Sequence, residues 1–292
     1  MKNYTPPFVI AEVGCNHKGD LEIAKEMIKV AKTFCGVDAV KFQKRNIREL
    51  LTEEQYVAPH PNPVHSYGNT YGEHREFLEF SLQQHYEIKE FCQKIGIIYS
   101  SSVWDLTSAK ELTALNPTFI KVPSACNNNM EMLKWLCRNF AGEIHISTGM
   151  TTSEETSSIV ELFIQEGRNK DLVLYNCVSG YPVPFTDVCL LEITKLKRRY
   201  GNIVKQIGFS GHHLGIAVDV AAYTLGAPVI ERHFTLDRTW RGTDHAASLE
   251  PVGLRKLNRD LSAVFNALNF KQDEILSIEI EQRNKLKFRP RQ

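Results

Sequence analysis

Lys205-Gln-Ile-Gly-Phe-Ser-Gly-His-His-Leu-Gly-Ile-Ala-Val-Asp-Val-Ala-Ala-Tyr-Thr-Leu-Gly-Ala-Pro-Val-Ile-Glu-Arg-His233 is the stretch that decides the fold. Lys205–Ser210 is a short apolar run of strand length. Ile216–Leu225 has helical periodicity, and Gly226 stands just after it as a C-cap. Pro228–Glu231 is a second strand-like run. Strand, helix and strand within so few residues make one parallel crossover unit. Working outward, the same alternation recurs. Strand-like runs lie at Phe8–Glu12, Ala39–Gln43, Gly96–Ser101, Phe119–Val122, Glu143–Ser147 and Leu172–Asn176, which with the first two makes eight. Helical segments separate them. Leu21–Thr33 places Leu21, Ala24, Ile28 and Ala31 on one face, and a last helix is predicted over Leu254–Leu268, before a charged tail. Eight strands alternating with helices predict an α/β protein, a closed (β/α)8 barrel of the TIM type, as a single domain over residues 1–292. An open doubly wound sheet is the rival. It would carry a GxGxxG turn after the first strand, and here that turn reads Glu12-Val-Gly-Cys-Asn-His-Lys-Gly19.

The composition bounds the function. Hydrophobic residues make up 42% of 292, enough for a barrel core. A net charge of +1 lacks the basic excess that nucleic-acid or membrane surfaces need, so neither partner is expected. No apolar run approaches the ~18 residues of a membrane span, and no signal peptide is visible before the first strand. Seven cysteines are scattered without a CxxC pair and read as reduced thiols in a cytoplasmic protein. Strands two and three lie about fifty residues apart, where a simple unit needs roughly thirty. The excess, about residues 44–72, reads as a substrate lid on the catalytic face.

Polar residues gather where the strands end. Glu12 closes the first strand. Lys41 and Gln43, two apart on the second, both point inward. Ser102, Lys121, Ser124, Ser147, Ser179 and Ser210 follow at or after later strands. A buried lysine is costly unless paired, so two lysines inside one barrel, with hydroxyl donors beside them, indicate a carboxylate or phosphate ligand. His212 and His233 end neighbouring strands, where two imidazoles can share one divalent ion and leave positions open for substrate. Glu12 and Asp244 are the acidic candidates to complete that shell. Hydrogen-bonded core histidines are the alternative for this pair.

These residues occur within longer strings: Ile10-Ala-Glu12-Val-Gly14-Cys-Asn16-His17, Val40-Lys-Phe-Gln43, Asn69-Thr-Tyr-Gly-Glu-His74-Arg75, Ile146-Ser-Thr-Gly-Met150, Ser179-Gly-Tyr181-Pro182, Gly208-Phe-Ser-Gly-His212, Glu231-Arg-His233-Phe-Thr235 and Asp237-Arg-Thr-Trp-Arg-Gly-Thr-Asp244. Together they resemble the sialic acid synthase family, from strand one to the final helix. The resemblance implies condensation of phosphoenolpyruvate with an open-chain aldose, N-acetylmannosamine, its 6-phosphate or a related hexose. It implies that Lys41, Ser102, Lys121, Ser124, Ser147, Ser179 and Ser210 hold phosphoenolpyruvate, and that His212 and His233 bind manganese or magnesium. Gln43, Asn69, Tyr181 and Asp244 would contact the sugar or the metal's water shell, with Glu12 near the reacting carbons. Thr239-Trp-Arg241-Gly resembles members that use sugar 6-phosphates, with Arg75 and Arg241 as phosphate partners or else as solvated arginines.

The family commonly dimerises, so a homodimer is one expectation, although part of that contact uses a C-terminal antifreeze-like domain that begins where this chain ends. Cys126 stands where the family usually has an acidic residue, and Ser102-Val-Trp104 replaces the usual Thr-Pro-Phe. A 3-deoxy-ulosonate synthase for another aldose, and a barrel that binds without turning over, stay open as alternatives.

Overall fold

The computed structural model describes residues 4–289. Eight parallel strands close in chain order: β1 (Phe8–Gly14), β2 (Ala39–Lys44), β3 (Ile98–Val103), β4 (Phe119–Val122), β5 (Glu143–Ser147), β6 (Leu172–Cys177), β7 (Gln206–Gly211) and β8 (Val229–His233). β8 pairs back onto β1, with Glu12 opposite His233.

Helices α1 (Leu21–Val30), α2 (Ile47–Leu50), α3 (Glu53–Val57), α4 (Tyr71–Leu78), α5 (Leu82–Ile95), α6 (Leu106–Ala114), α7 (Met130–Asn139), α8 (Ser153–Gln165), α9 (Leu191–Tyr200), α10 (Ala217–Thr224), α11 (Pro251–Ala267) and α12 (Ser277–Leu286) connect and follow the strands. The expected third strand begins two residues late, because Gly96 takes φ +74° and caps α5, whose backbone carbonyls its N–H satisfies. The helix expected to reach Thr33 is regular only to Val30 and then widens into a looser turn, Ala31–Cys35, before Gly36. Residues 44–72 are not structureless. They carry α2, α3 and a tight turn at Pro63–His65, and they dock on the segment after β8, where the Tyr67 hydroxyl donates to the Arg241 carbonyl at 2.6 Å. All seven cysteines are free. Among the described residues no helix is long and apolar enough to cross a membrane.

Strand alternation divides the apolar residues into two cores. Val9, Ala11, Val40, Phe42, Ile120, Ile144, Leu174 and Phe209 face outward and join the helices in the larger one. Ile10, Ala39, Phe119, Val173, Tyr175 and Val229 face the axis and plug the lower barrel. That plug forms the floor on which the inward polar residues of the upper layer stand.

Candidate active site

Parity along each strand assembles the upper layer. Glu12, Lys41, Ser102, Lys121, Ser147, Ser210, Glu231 and His233 are all buried, at the carboxyl ends of seven strands. The expected pair of inward lysines is there, and each meets a carboxylate. Lys41 pairs with Glu12 and donates to Ser102 Oγ at 2.7 Å, while Glu231 Oε2 lies 3.8 Å away. Lys121 donates to Glu231 Oε1 at 2.6 Å, and the Ser210 hydroxyl reaches the same oxygen at 3.1 Å. In the free protein two ammoniums are therefore balanced by two carboxylates, which offsets the cost of burying each charge alone.

The two acids are not equivalent. Burial tends to raise the Glu231 carboxyl, but Lys121 and Lys41 outweigh it and hold the group down to about 2. Burial, aided by the charge on Glu231, pushes Glu12 up to about 7 against the pull of Lys41. Burial also presses the Lys121 ammonium downward, opposed chiefly by Glu231.

Glu12 is oriented from the β2 side. Gln43 Nε2 donates to Glu12 Oε1 at 2.9 Å, and Arg45 donates to Gln43 Oε1, so the amide has one orientation. Arg45 is held in turn by Glu79 at 2.8 Å and by the Trp104 ring, 4.4 Å away. Gly14 turns out of β1 at φ +55°, and a Cβ there would stand 3.2 Å from Glu12 Oε1.

A second feature is a cradle of small polar groups. Gly149 N–H donates to Ser124 Oγ at 3.0 Å, and a Cβ built on Gly149 would stand 2.5 Å from Ser179 Oγ and 2.8 Å from Ser124 Oγ. The missing side chain leaves a hydroxyl-lined space that suits an anion. Gly149→Ala is expected to weaken phosphate binding about tenfold, at the scale of one lost charge-assisted hydrogen bond. Calorimetric titration with inorganic phosphate checks this.

His212 and His233 stand together, with ring centroids 5.4 Å apart. His212 Nδ1 meets the Val178 carbonyl at 2.8 Å, so that nitrogen carries a proton and donates, and Nε2 is the nitrogen left to face a cation. His233 Nδ1 is buried and has no hydrogen-bond partner, with Asp244 Oδ2 3.9 Å away. Burial holds the His233 imidazole below its ordinary range, with Asp244 opposing, so the ring is neutral and can donate a lone pair. This donor set fits a divalent cation with an open shell. Among the described residues no group of three His, Cys, Asp or Glu side chains closes a complete one.

Tyr181 covers the pair, 4.3 Å from the His212 ring. Burial tends to raise the Asp244 carboxyl, but His233, Thr243, Arg75 and Arg45 outweigh it and hold it low. Arg75 is half-buried and bound to the Tyr71 hydroxyl at 2.7 and 2.9 Å. Arg241 and Asn69 are exposed on the rim. Cys126 is buried, its thiol pushed up by burial, and it approaches the Val103 carbonyl at 3.6 Å, so no charged group replaces the acid expected there.

Residues 27–273 match the NeuB family. The chain belongs to the NeuB family. This NeuB chain is 39% identical over 281 residues, 96% of its length and 76% of the relative's, to N-acetylneuraminate-9-phosphate synthase of Homo sapiens. It is 33% identical to N,N'-diacetyllegionaminic acid synthase of Campylobacter jejuni, over 89% of this chain and 77% of that protein. Among solved structures, the sialic acid synthetase of Leptospira borgpetersenii superposes with TM-score 0.80 at 29% identity, covering 98% of this chain and 94% of that one. The NeuB barrel is thus an enzyme of the sialic acid synthase type, a carbon–carbon bond-forming synthase of carbohydrate biosynthesis.

Four contributors to this NeuB site escaped the sequence reading. Glu231 was within reach, because it shares strand parity with His233. Arg45 was not, since it acts through Gln43. Nor was Cys177, whose thiol burial tends to raise but which His212, Lys121 and Ser124 hold below its ordinary range. The fourth, Tyr175, lies beneath Lys121.

Proposed function

We propose that the barrel condenses phosphoenolpyruvate with the aldehyde of an open-chain N-acyl hexosamine, giving a sialic-acid-like 3-deoxy-2-ulosonic acid and phosphate. The observation that carries this is the buried set of two lysines and two carboxylates beside the Gly149 cradle. Phosphoenolpyruvate brings one carboxylate and one phosphate, and the site offers two ammoniums and a ring of hydroxyls. Lys41 and Ser102 hold one anion. Lys121, with Ser124, Ser147, Ser179 and Ser210, holds the other. Carbon 3 of phosphoenolpyruvate attacks the aldehyde carbon, whose oxygen takes up a proton and becomes a hydroxyl, water adds at carbon 2, and phosphate leaves by C–O cleavage. Glu12, with its carboxyl raised into the neutral range, accepts the proton of that water. The ammoniums are fixed before the reaction begins, so they stabilise the departing phosphate without reorganisation. His212 Nε2 and His233 Nδ1 would hold a divalent cation, manganese or magnesium, which supplies Lewis-acid polarisation of the aldehyde when bound.

Gln43, Tyr181 and Asp244 stand where a sugar chain would enter. Arg75 and Arg241, with Lys18 over the Trp240 ring at 4.0 Å, give the rim a positive edge. That edge favours an aldose 6-phosphate, the substrate that would yield a 9-phosphorylated product of the kind named for the human relative. The test is phosphate release from phosphoenolpyruvate with manganese and a panel of free and 6-phosphorylated hexosamines. Turnover is expected with an N-acyl hexosamine and to be highest with its 6-phosphate. No release with any aldose would favour a binding protein instead. Manganese binding followed by electron paramagnetic resonance is expected to vanish in His212→Ala and His233→Ala. Undiminished binding in both would refute the cation site.

A further inference from the structure

One layer below the lysines, three polar side chains form a column that the proposed chemistry leaves unused. Tyr175 on β6 and His145 on β5 are buried inside the barrel, and Glu143 begins β5 at its amino-terminal face. The Tyr175 ring lies under Lys121, whose Nζ is 4.1 Å from the ring centroid. Gly208 on β7 makes the room, since a Cβ there would stand 2.8 Å from Tyr175 Cε1. The hydroxyl points the other way and meets His145 Nδ1 at 2.7 Å. His145 is stacked on Phe119 at 4.2 Å between ring centroids, and its Nε2 lies 3.3 Å from Glu143 Oε2. Lys205 donates to the other Glu143 oxygen at 2.7 Å.

Glu143 sets the direction of the column. Its hydrogen bond from His145, and then its contacts with Lys205, outweigh burial and hold the carboxyl down to about 2, so it only accepts. His145 therefore carries its proton on Nε2 and presents Nδ1 as an acceptor, and Tyr175 donates. Drawing the phenol proton toward His145 enriches the ring that faces Lys121, which strengthens the attraction between ring and ammonium. Lys121 has three N–H groups. One is used by Glu231 and one lies over the ring, which leaves one for a ligand.

We propose that Tyr175 is a positioning residue for Lys121: its ring, anchored through His145, fixes the ammonium so that the free N–H meets the anion of the substrate. The role assigned to that anion rests on the function proposed above. Tyr175 itself touches no reacting atom.

The test uses the full chain with Tyr175→Leu and Tyr175→Phe, titrated calorimetrically with inorganic phosphate and with phosphoenolpyruvate. Lysines carrying 13C at Cε report on the ammonium by NMR. Tyr175→Leu is expected to weaken both anions about tenfold, while Tyr175→Phe, which keeps the ring, stays within about threefold of the wild type. The wild type is expected to show one lysine resonance moved upfield by ring current, absent in Lys121→Arg, retained in Tyr175→Phe and lost in Tyr175→Leu. Gly208→Ala displaces the ring without removing it, so it is expected to weaken the anions as Tyr175→Leu does and covers the case in which the leucine variant does not fold. Unchanged binding in folded Tyr175→Leu, or no ring-shifted lysine in the wild type, would overturn the proposal. If the wild type binds phosphate and shows the shifted lysine but turns over no aldose, the proposed function fails while the role of Tyr175 stands.

Discussion

Lys121→Met is expected to lower kcat/KM for phosphoenolpyruvate by about a thousandfold, the scale of removing a preorganised charge from a water-poor site. The side chain is almost wholly buried with its ammonium on Glu231 at 2.6 Å, and the neighbouring ammonium, Lys41, is already held by Glu12. Lys121→Arg is expected to rescue little. A guanidinium is planar and broader than an ammonium, and the Tyr175 ring 4.1 Å away closes the space it would need. The same substitution acts on stability by a separable route. Methionine leaves Glu231 buried beside Lys41 alone, and breaking a buried pair costs about 3–5 kcal/mol unless the acid takes up a proton. The double variant Lys121→Met/Glu231→Gln therefore regains most of the lost melting temperature but none of the turnover. Steady-state phosphate release read beside thermal melts separates the two effects. Recovery of turnover in the double variant would sink the assignment of Lys121 to an anion of the substrate.

The fold itself should be acid-labile, and the two histidines held lowest are a main reason. His17 stacks on Phe80 at 3.9 Å, and His85, on the buried face of α5, has Nδ1 on the Tyr99 hydroxyl at 2.8 Å and Nε2 buried without a partner. Burial is the main force holding each imidazole down to about 3. An unfolded histidine takes up its proton near pH 6.5, and these two do so in the folded chain only near pH 3. Below pH 6.5 the unfolded state thus binds more protons, and stability falls as pH falls across that window. Each group contributes a slope of about 1.4 kcal/mol per pH unit, so the pair removes about 5 kcal/mol between pH 6.5 and 4.5, a large share of a typical domain's total stability. Urea midpoints at pH 7.5 and 4.5 measure this. The variant His17→Asn/His85→Gln is expected to show a flatter pH dependence whatever its absolute stability, because the slope is read within each protein. An equally steep pH dependence in the double variant and the wild type would contradict the account.

Much of the barrel was legible because strand parity is a local property. Alternation at Lys41 and Gln43 sent both inward, and the helix between Ser210 and Glu231 required its flanking strands to run parallel. The long insert after β2 was visible as an anomaly of spacing. Its small helices and its dock on Arg241 were not, since short segments of mixed polarity carry little periodicity.

The sequence by itself determined the closed eight-stranded barrel, the inward lysines and the two histidines at the ends of β7 and β8. Periodicity, turn chemistry and the family strings all act over a few residues and survive in the linear chain. Only the tertiary structure decided which inward residues meet. Lys121 and Glu231 are 110 positions apart and touch at 2.6 Å. Lys41 finds Glu12, and the Tyr175 ring comes to lie beneath Lys121. These meetings depend on the stagger with which the strands close the barrel, a quantity that no single strand encodes. That stagger converts two charges that would each be intolerable alone into a balanced site, ready for an anion.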